Sequence, residues 1–161
     1  MPHKLEGLEL GRGLHMPKRY CSGMWQEKAR RAAPRFLAIA AASVFTVFAF
    51  LYTPTAFAIP ASLGQGYQAR IWLLLASVII AAASTWMLVV GQQSPFVRLA
   101  INFSCGVNLI WIFSFIGPPV FVASVVAAGL ATVPAPRRQL PILIGAAVAG
   151  LCVGLLALQL K

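Results

Sequence analysis

An all-α, polytopic membrane bundle with a basic, flexible N-terminal tail is the fold this sequence predicts, and three observations predict it. Of its 161 residues 60% are hydrophobic and only 10% charged, with a mean hydropathy of +0.82, far from the soluble average. The apolar residues fall into four blocks, 36–59, 71–91, 99–133 and 140–160, none of which holds Asp, Glu, Lys, Arg or His. The cations, in contrast, crowd ahead of the first block.

The elements follow from block length. A bilayer core of about 30 Å needs roughly 20 helical residues, so blocks 36–59, 71–91 and 140–160 each predict one span. Block 99–133 is too long: its 35 residues would extend about 52 Å as one helix. It must break at Gly117-Pro118-Pro119, where two backbone donors are missing and helical geometry is disfavoured at the preceding residue. The prediction is five spans, 36–59, 71–91, 99–116, 119–134 and 140–160, with the short fourth segment also compatible with a re-entrant, four-span arrangement.

Charge asymmetry tests the count. Lys4, Arg12, Lys18, Arg19, Lys28, Arg30, Arg31 and Arg35 precede the first span, and Lys and Arg near helix ends stay cytoplasmic. Five spans with the N-terminus inside leave 11 cations inside and 2 outside, Arg70 and Lys161; four spans give 10 against 3. Five is favoured. The run from Arg30 to Ala58 also resembles a secretory signal ending in Ala56-Phe57-Ala58. Its apolar core is longer than a signal's, so a permanent span is expected.

Residues 1–35 lack an apolar periodicity and form the expected cytoplasmic tail, with Lys28, Arg30, Arg31 and Arg35 against anionic phospholipid head groups at about 1 kcal/mol each. Met24 and Trp25 can anchor 26–33 as a short interfacial helix. The connections Pro60–Ala69 and Gly91–Pro95 are turn-rich and force neighbouring spans antiparallel. The net charge of +10 is what topology requires, with no nucleic-acid motif beside it.

After Glu27 the chain has no Asp or Glu, and after His15 no His. That absence argues against proton-driven transport, intramembrane hydrolysis and metal chemistry, which need such groups. Cys21, Cys105 and Cys152 make no C-x-x-C or metal spacing. No catalytic, metal or cofactor residue is therefore assigned, and an enzyme is not expected.

Two constellations remain. Arg98, Asn102, Cys105 and Asn108 step by four, three and three residues along one side of a helix, with Ser104 adjoining. They are either interhelical glue, with Arg98 reaching the inner surface, or the lining of a solute pocket. Ser77, Ser84 and Thr85 are available partners on the second span. On the last span Ala146, Gly150 and Gly154 form a small-residue stripe that permits close approach of another helix, of this chain or a second protein. The expected function is binding: an accessory or stabilising subunit of a larger complex in the bacterial inner membrane. The alternative is a passive carrier or channel component for an uncharged or lipid-like molecule.

Overall fold

The computed structural model describes the backbone of residues 18–58, 64–113 and 117–159, and the side chains of residues 32–58, 64–111 and 117–159. These are all helical apart from the turns between them: α1 Lys18–Ala58, α2 Gln65–Val89, α3 Pro95–Asn108 continued by a 3₁₀ segment Leu109–Phe113, α4 Pro118–Thr132 and α5 Leu140–Gln159. Residues 1–32 and 33–161 are separate units. The packing described below is that of the second.

Three helical segments are long and apolar enough to cross a membrane, Ala32–Ala58, Gln65–Val89 and Leu140–Gln159. The 99–133 block is held as α3 with its 3₁₀ extension and, after Gly117, α4. Pro118 and Pro119 occupy the first helical positions of α4, where the missing N–H groups would have had no intrahelical acceptor in any case. The Gly117 carbonyl accepts from Phe121 N at 3.0 Å.

Two boundaries differ from the sequence expectation. Lys18 to Arg35, expected to be flexible apart from 26–33, is helical and continuous with the apolar part of α1; residues 1–17 lie outside the described residues. Absent periodicity argues against burial, but Glu27, Lys28, Ala29, Arg30, Arg31, Ala32 and Ala33 are all good helix formers. Pro34 and Pro54 lie within this helix. Each forfeits one hydrogen bond; on either side of Pro54, Thr53 donates back to Ala49 O at 2.7 Å and Thr55 to Tyr52 O at 3.0 Å. Likewise α2 begins at Gln65, so Gln65–Ala69 belong to the helix and not to the expected loop. Gly64, at φ 92°, makes the turn into it.

The turn between α2 and α3 is fully specified by sequence. Gly91 takes φ 94°, Gln92 N donates to Met87 O at 2.9 Å and Gly91 N to Leu88 O at 3.0 Å, which is the Schellman pairing. Three residues later Ser94 caps α3, accepting from Val97 N at 3.2 Å, with Pro95 in the first turn. The hairpin is thereby fixed as antiparallel.

Cross-helix contacts give the direction of every element. Trp86 donates to Thr46 while Phe57 meets Trp72 edge-on, so α1 and α2 are antiparallel. Thr132 donates to Asn102 and Ser124 neighbours Cys105, so α3 and α4 are antiparallel. Backbone approaches of Gly150 to Phe103 and Gly154 to Val107 make α3 and α5 parallel. The helices of residues 33–159 alternate in direction, and α3 sits between α2, α4 and α5.

The bundle is apolar outside. Phe50, Phe36, Phe57, Leu51, Leu156 and Val122 are among its exposed large side chains. Half of the apolar window of α2 is buried but only 22% in α1 and α5. Its centre holds Phe45, Val78, Ile101, Val107, Val120 and the polar side chains of α3.

Candidate functional site

The polar stripe of α3 lies in the interior. Asn108 and Ser104 are 0% and 1% exposed, Cys105 2%, Asn102 3% and Arg98 6%. Water would favour the reverse arrangement. In hydrocarbon, however, apolar side chains gain nothing by leaving lipid, whereas polar ones need partners, so the most polar helix becomes the central one.

Each member of the stripe is tied locally or across to a neighbour. Asn102 donates to Arg98 O at 2.9 Å and accepts from Thr132 at 3.2 Å, joining α3 to α4. Asn108 accepts from Ser77 at 2.7 Å, joining α3 to α2. Ser104 donates back to Ala100 O at 2.7 Å, and Ser124 does the same to Val120 O. Cys105 lies within hydrogen-bonding range of the Ser124 side chain and the Ala128 backbone. Among the described residues the amide nitrogen of Asn108 and Nε of Arg98 find no partner. Ser84 and Thr85 are buried, and Thr85 donates to Ala81 O at 2.6 Å.

Among the described residues no carboxylate pairs with Arg98. Its guanidinium donates to Gln93 Oε1 at 2.9 Å and to Pro134 O at 3.3 Å. It therefore closes the end of the bundle where the α2–α3 and α4–α5 turns meet. The C-termini of α2 and α4 point to this end, and their partial negative charge offsets part of the cost of burying a cation.

Along α5, Gly150 and Gly154 face α3. A Cβ on Gly150 would collide with the Phe103 carbonyl, and one on Gly154 would stand 3.0 Å from Val107 O and Ile110. Gly106 answers from α3, where a Cβ would collide with the Ala147 carbonyl. Ala146 is half-buried beside this contact. The packed line is Leu143, Ala147, Gly150, Gly154 and Ala157, spaced by four and three, and its partner is α3 of the same chain.

At the opposite end lies a feature not singled out from sequence, a cavity of about 180 Å³. Its polar lining is Tyr52, Tyr67 and Arg70, with Trp111 beside them. Ile71, Leu74, Ile110 and Leu158 form its apolar floor. Four elements meet there, which is why linear spacing does not reveal it. Trp111 is held edge-on by Phe48 at 4.9 Å and by Tyr52 at 5.2 Å between ring centroids. Arg70 is half-buried. Among the described residues no group of His, Cys, Asp or Glu is arranged to hold a metal.

Together these features define an all-helical bundle with three apolar, membrane-length helices and a polar interior. No protein-family model matches the chain, and no curated protein or solved structure is significantly similar to it.

Proposed function

We propose that this chain is an integral membrane protein of the bacterial inner membrane that acts by binding, as an accessory or stabilising subunit of a larger membrane complex. One observation carries the reading: the polar side chains that a pore or relay would need are engaged inside the bundle, Asn102 with Thr132 and Asn108 with Ser77. What α1 and α5 offer outward is apolar surface for lipid or another helix. No reaction is proposed.

The same reading has five crossings with a cytoplasmic N-terminus. Alternating helix directions support it, as does the length of α3 with its 3₁₀ extension, about 31 Å together. The α4 helix, at about 22 Å, is the short one. Arg98, Arg137 and Arg138 then lie inside with the basic segment before Phe36, which meets anionic phospholipid head groups.

Copurification from native membranes in mild detergent tests the assignment. A stoichiometric membrane-protein partner is the expected result; a chain that purifies alone from every native membrane fraction contradicts it. A second reading, binding of a lipid-like molecule, is favoured by the cavity at the Arg70 end.

A further inference from the structure

We propose that the cavity beside Arg70 binds the phosphate head group of an anionic phospholipid, with the acyl chains remaining in the bilayer. The proposal rests on the membrane reading but needs no protein partner.

Charge is the first argument. Arg70 is half-buried at the cavity and makes no hydrogen bond or ion pair with any described residue, while no Asp or Glu follows Glu27. Among the described residues nothing supplies that guanidinium with a counter-charge, so an anion bound in the cavity would gain a charge-assisted contact. The C-terminal ends of α1 and α5 and the N-terminal ends of α2 and α4 all point this way, so the helix dipoles oppose one another and Arg70 sets the sign of the site.

Chemistry is the second. A phosphodiester oxygen only accepts hydrogen bonds, and the polar lining supplies donors: the Arg70 fork and the hydroxyls of Tyr52 and Tyr67. Leu74, Ile110 and the ring of Trp111 provide an apolar wall for the adjoining glycerol carbons. A cationic ligand would meet Arg70 without a neutralising group.

Size and position agree. A cavity of about 180 Å³ is close to the roughly 150 Å³ that holds a benzene-sized molecule, enough for a head group and too small for a whole lipid. At the same end of α1 and α2, Phe57 and Trp72 pair at 4.9 Å and are 71% and 43% exposed. Trp is enriched at the membrane–water interface, where phosphates lie.

The test is titration of the purified full chain in detergent with short-chain phosphatidylglycerol, followed by native mass spectrometry and thermal unfolding. Saturable binding is expected, weaker by at least about tenfold in Arg70→Gln, the loss of one charge-assisted hydrogen bond. Arg70→Lys and Tyr67→Phe should fall between, and Arg137→Gln should bind as the unaltered chain does. Each variant's unfolding without lipid shows whether it is folded, and Tyr67→Phe stands in should Arg70→Gln fail. Unchanged affinity in Arg70→Gln or, failing that, in Tyr67→Phe overturns the proposal, as does equal binding of phosphatidylcholine, oleate or inorganic phosphate. A chain released from membranes by salt or alkali instead defeats the membrane reading itself.

Discussion

Arg98 and Arg70 are the same residue at opposite ends of one bundle, and their surroundings could hardly differ more. Arg98 is buried, with Gln93 and the Pro134 carbonyl as acceptors, and it ties α3 to the α2–α3 and α4–α5 turns at a closed end. Arg70 stands at a cavity with no hydrogen-bond acceptor among the described residues. In a chain without intramembrane carboxylates, a cation either collects backbone and amide oxygens or waits for an anion from outside. The first makes structure and the second makes a site.

That comparison can be broken from the packed side. Gly150→Leu should produce the largest loss, about 3 kcal/mol, because the side chain has no room against the α3 backbone. Gly145→Leu, at a position where a Cβ meets nothing within 4 Å, should be nearly silent in the same reversible unfolding assay. Equal losses would mean that α3 and α5 do not pack as described.

Next come the two arginines themselves. Replacing Arg98 by Leu removes two charge-assisted hydrogen bonds, to Gln93 and the Pro134 carbonyl on exposed turn residues, and should cost about 1.5 kcal/mol. Arg70→Gln should change intrinsic stability by less than about 0.5 kcal/mol, since it breaks no described bond. The sharpest contradiction would be the reverse order in lipid-free detergent.

Smaller effects belong to the asparagines. Asn102→Leu removes the α3–α4 bridge and should cost about 1 kcal/mol. Asn108→Leu should cost less, because it also removes a buried amide nitrogen that lacks a partner. If both left unfolding untouched while abolishing a measurable solute flux, the stripe would be a pocket lining after all.

The smallest expected effect is none. With no Asp, Glu or His in residues 28–161, stability should stay flat between about pH 5 and 8. Proteoliposomes of the purified chain should likewise show no coupled proton uptake. A sigmoidal pH profile in either assay would require an ionisable group that this account lacks.

Much of the bundle can be read from the chain because its signals are local. Block lengths, the Gly117-Pro118-Pro119 break and the Gly91 to Pro95 turn each depend on a few adjacent residues. The polar stripe of α3 is also visible as spacing, although its partners Ser77 and Thr132 come from elsewhere in the sequence. The helical character of Lys18–Arg35 escaped because mixed charge hides helix propensity when no face is apolar. The close contact on α5 runs through Ala147 rather than Ala146, a distinction set by the rotation of α3 about it. The cavity needed four elements at once, and its faint sequence signal is Tyr67 and Arg70, three apart at the start of α2, with Trp72 just beyond.

The central claim is that the Arg98 and Arg70 ends lie on opposite sides of a membrane, with the helices alternating between them. Single cysteines placed in a cysteine-free background, Gln92→Cys and Arg138→Cys at one end and Gln68→Cys and Gln159→Cys at the other, test it directly with a membrane-impermeant maleimide. Labelling of Gln68→Cys and Gln159→Cys in intact cells, with Gln92→Cys and Arg138→Cys reacting only after permeabilisation, is the predicted result. Reaction of Gln92→Cys and Gln159→Cys from the same side would contradict it.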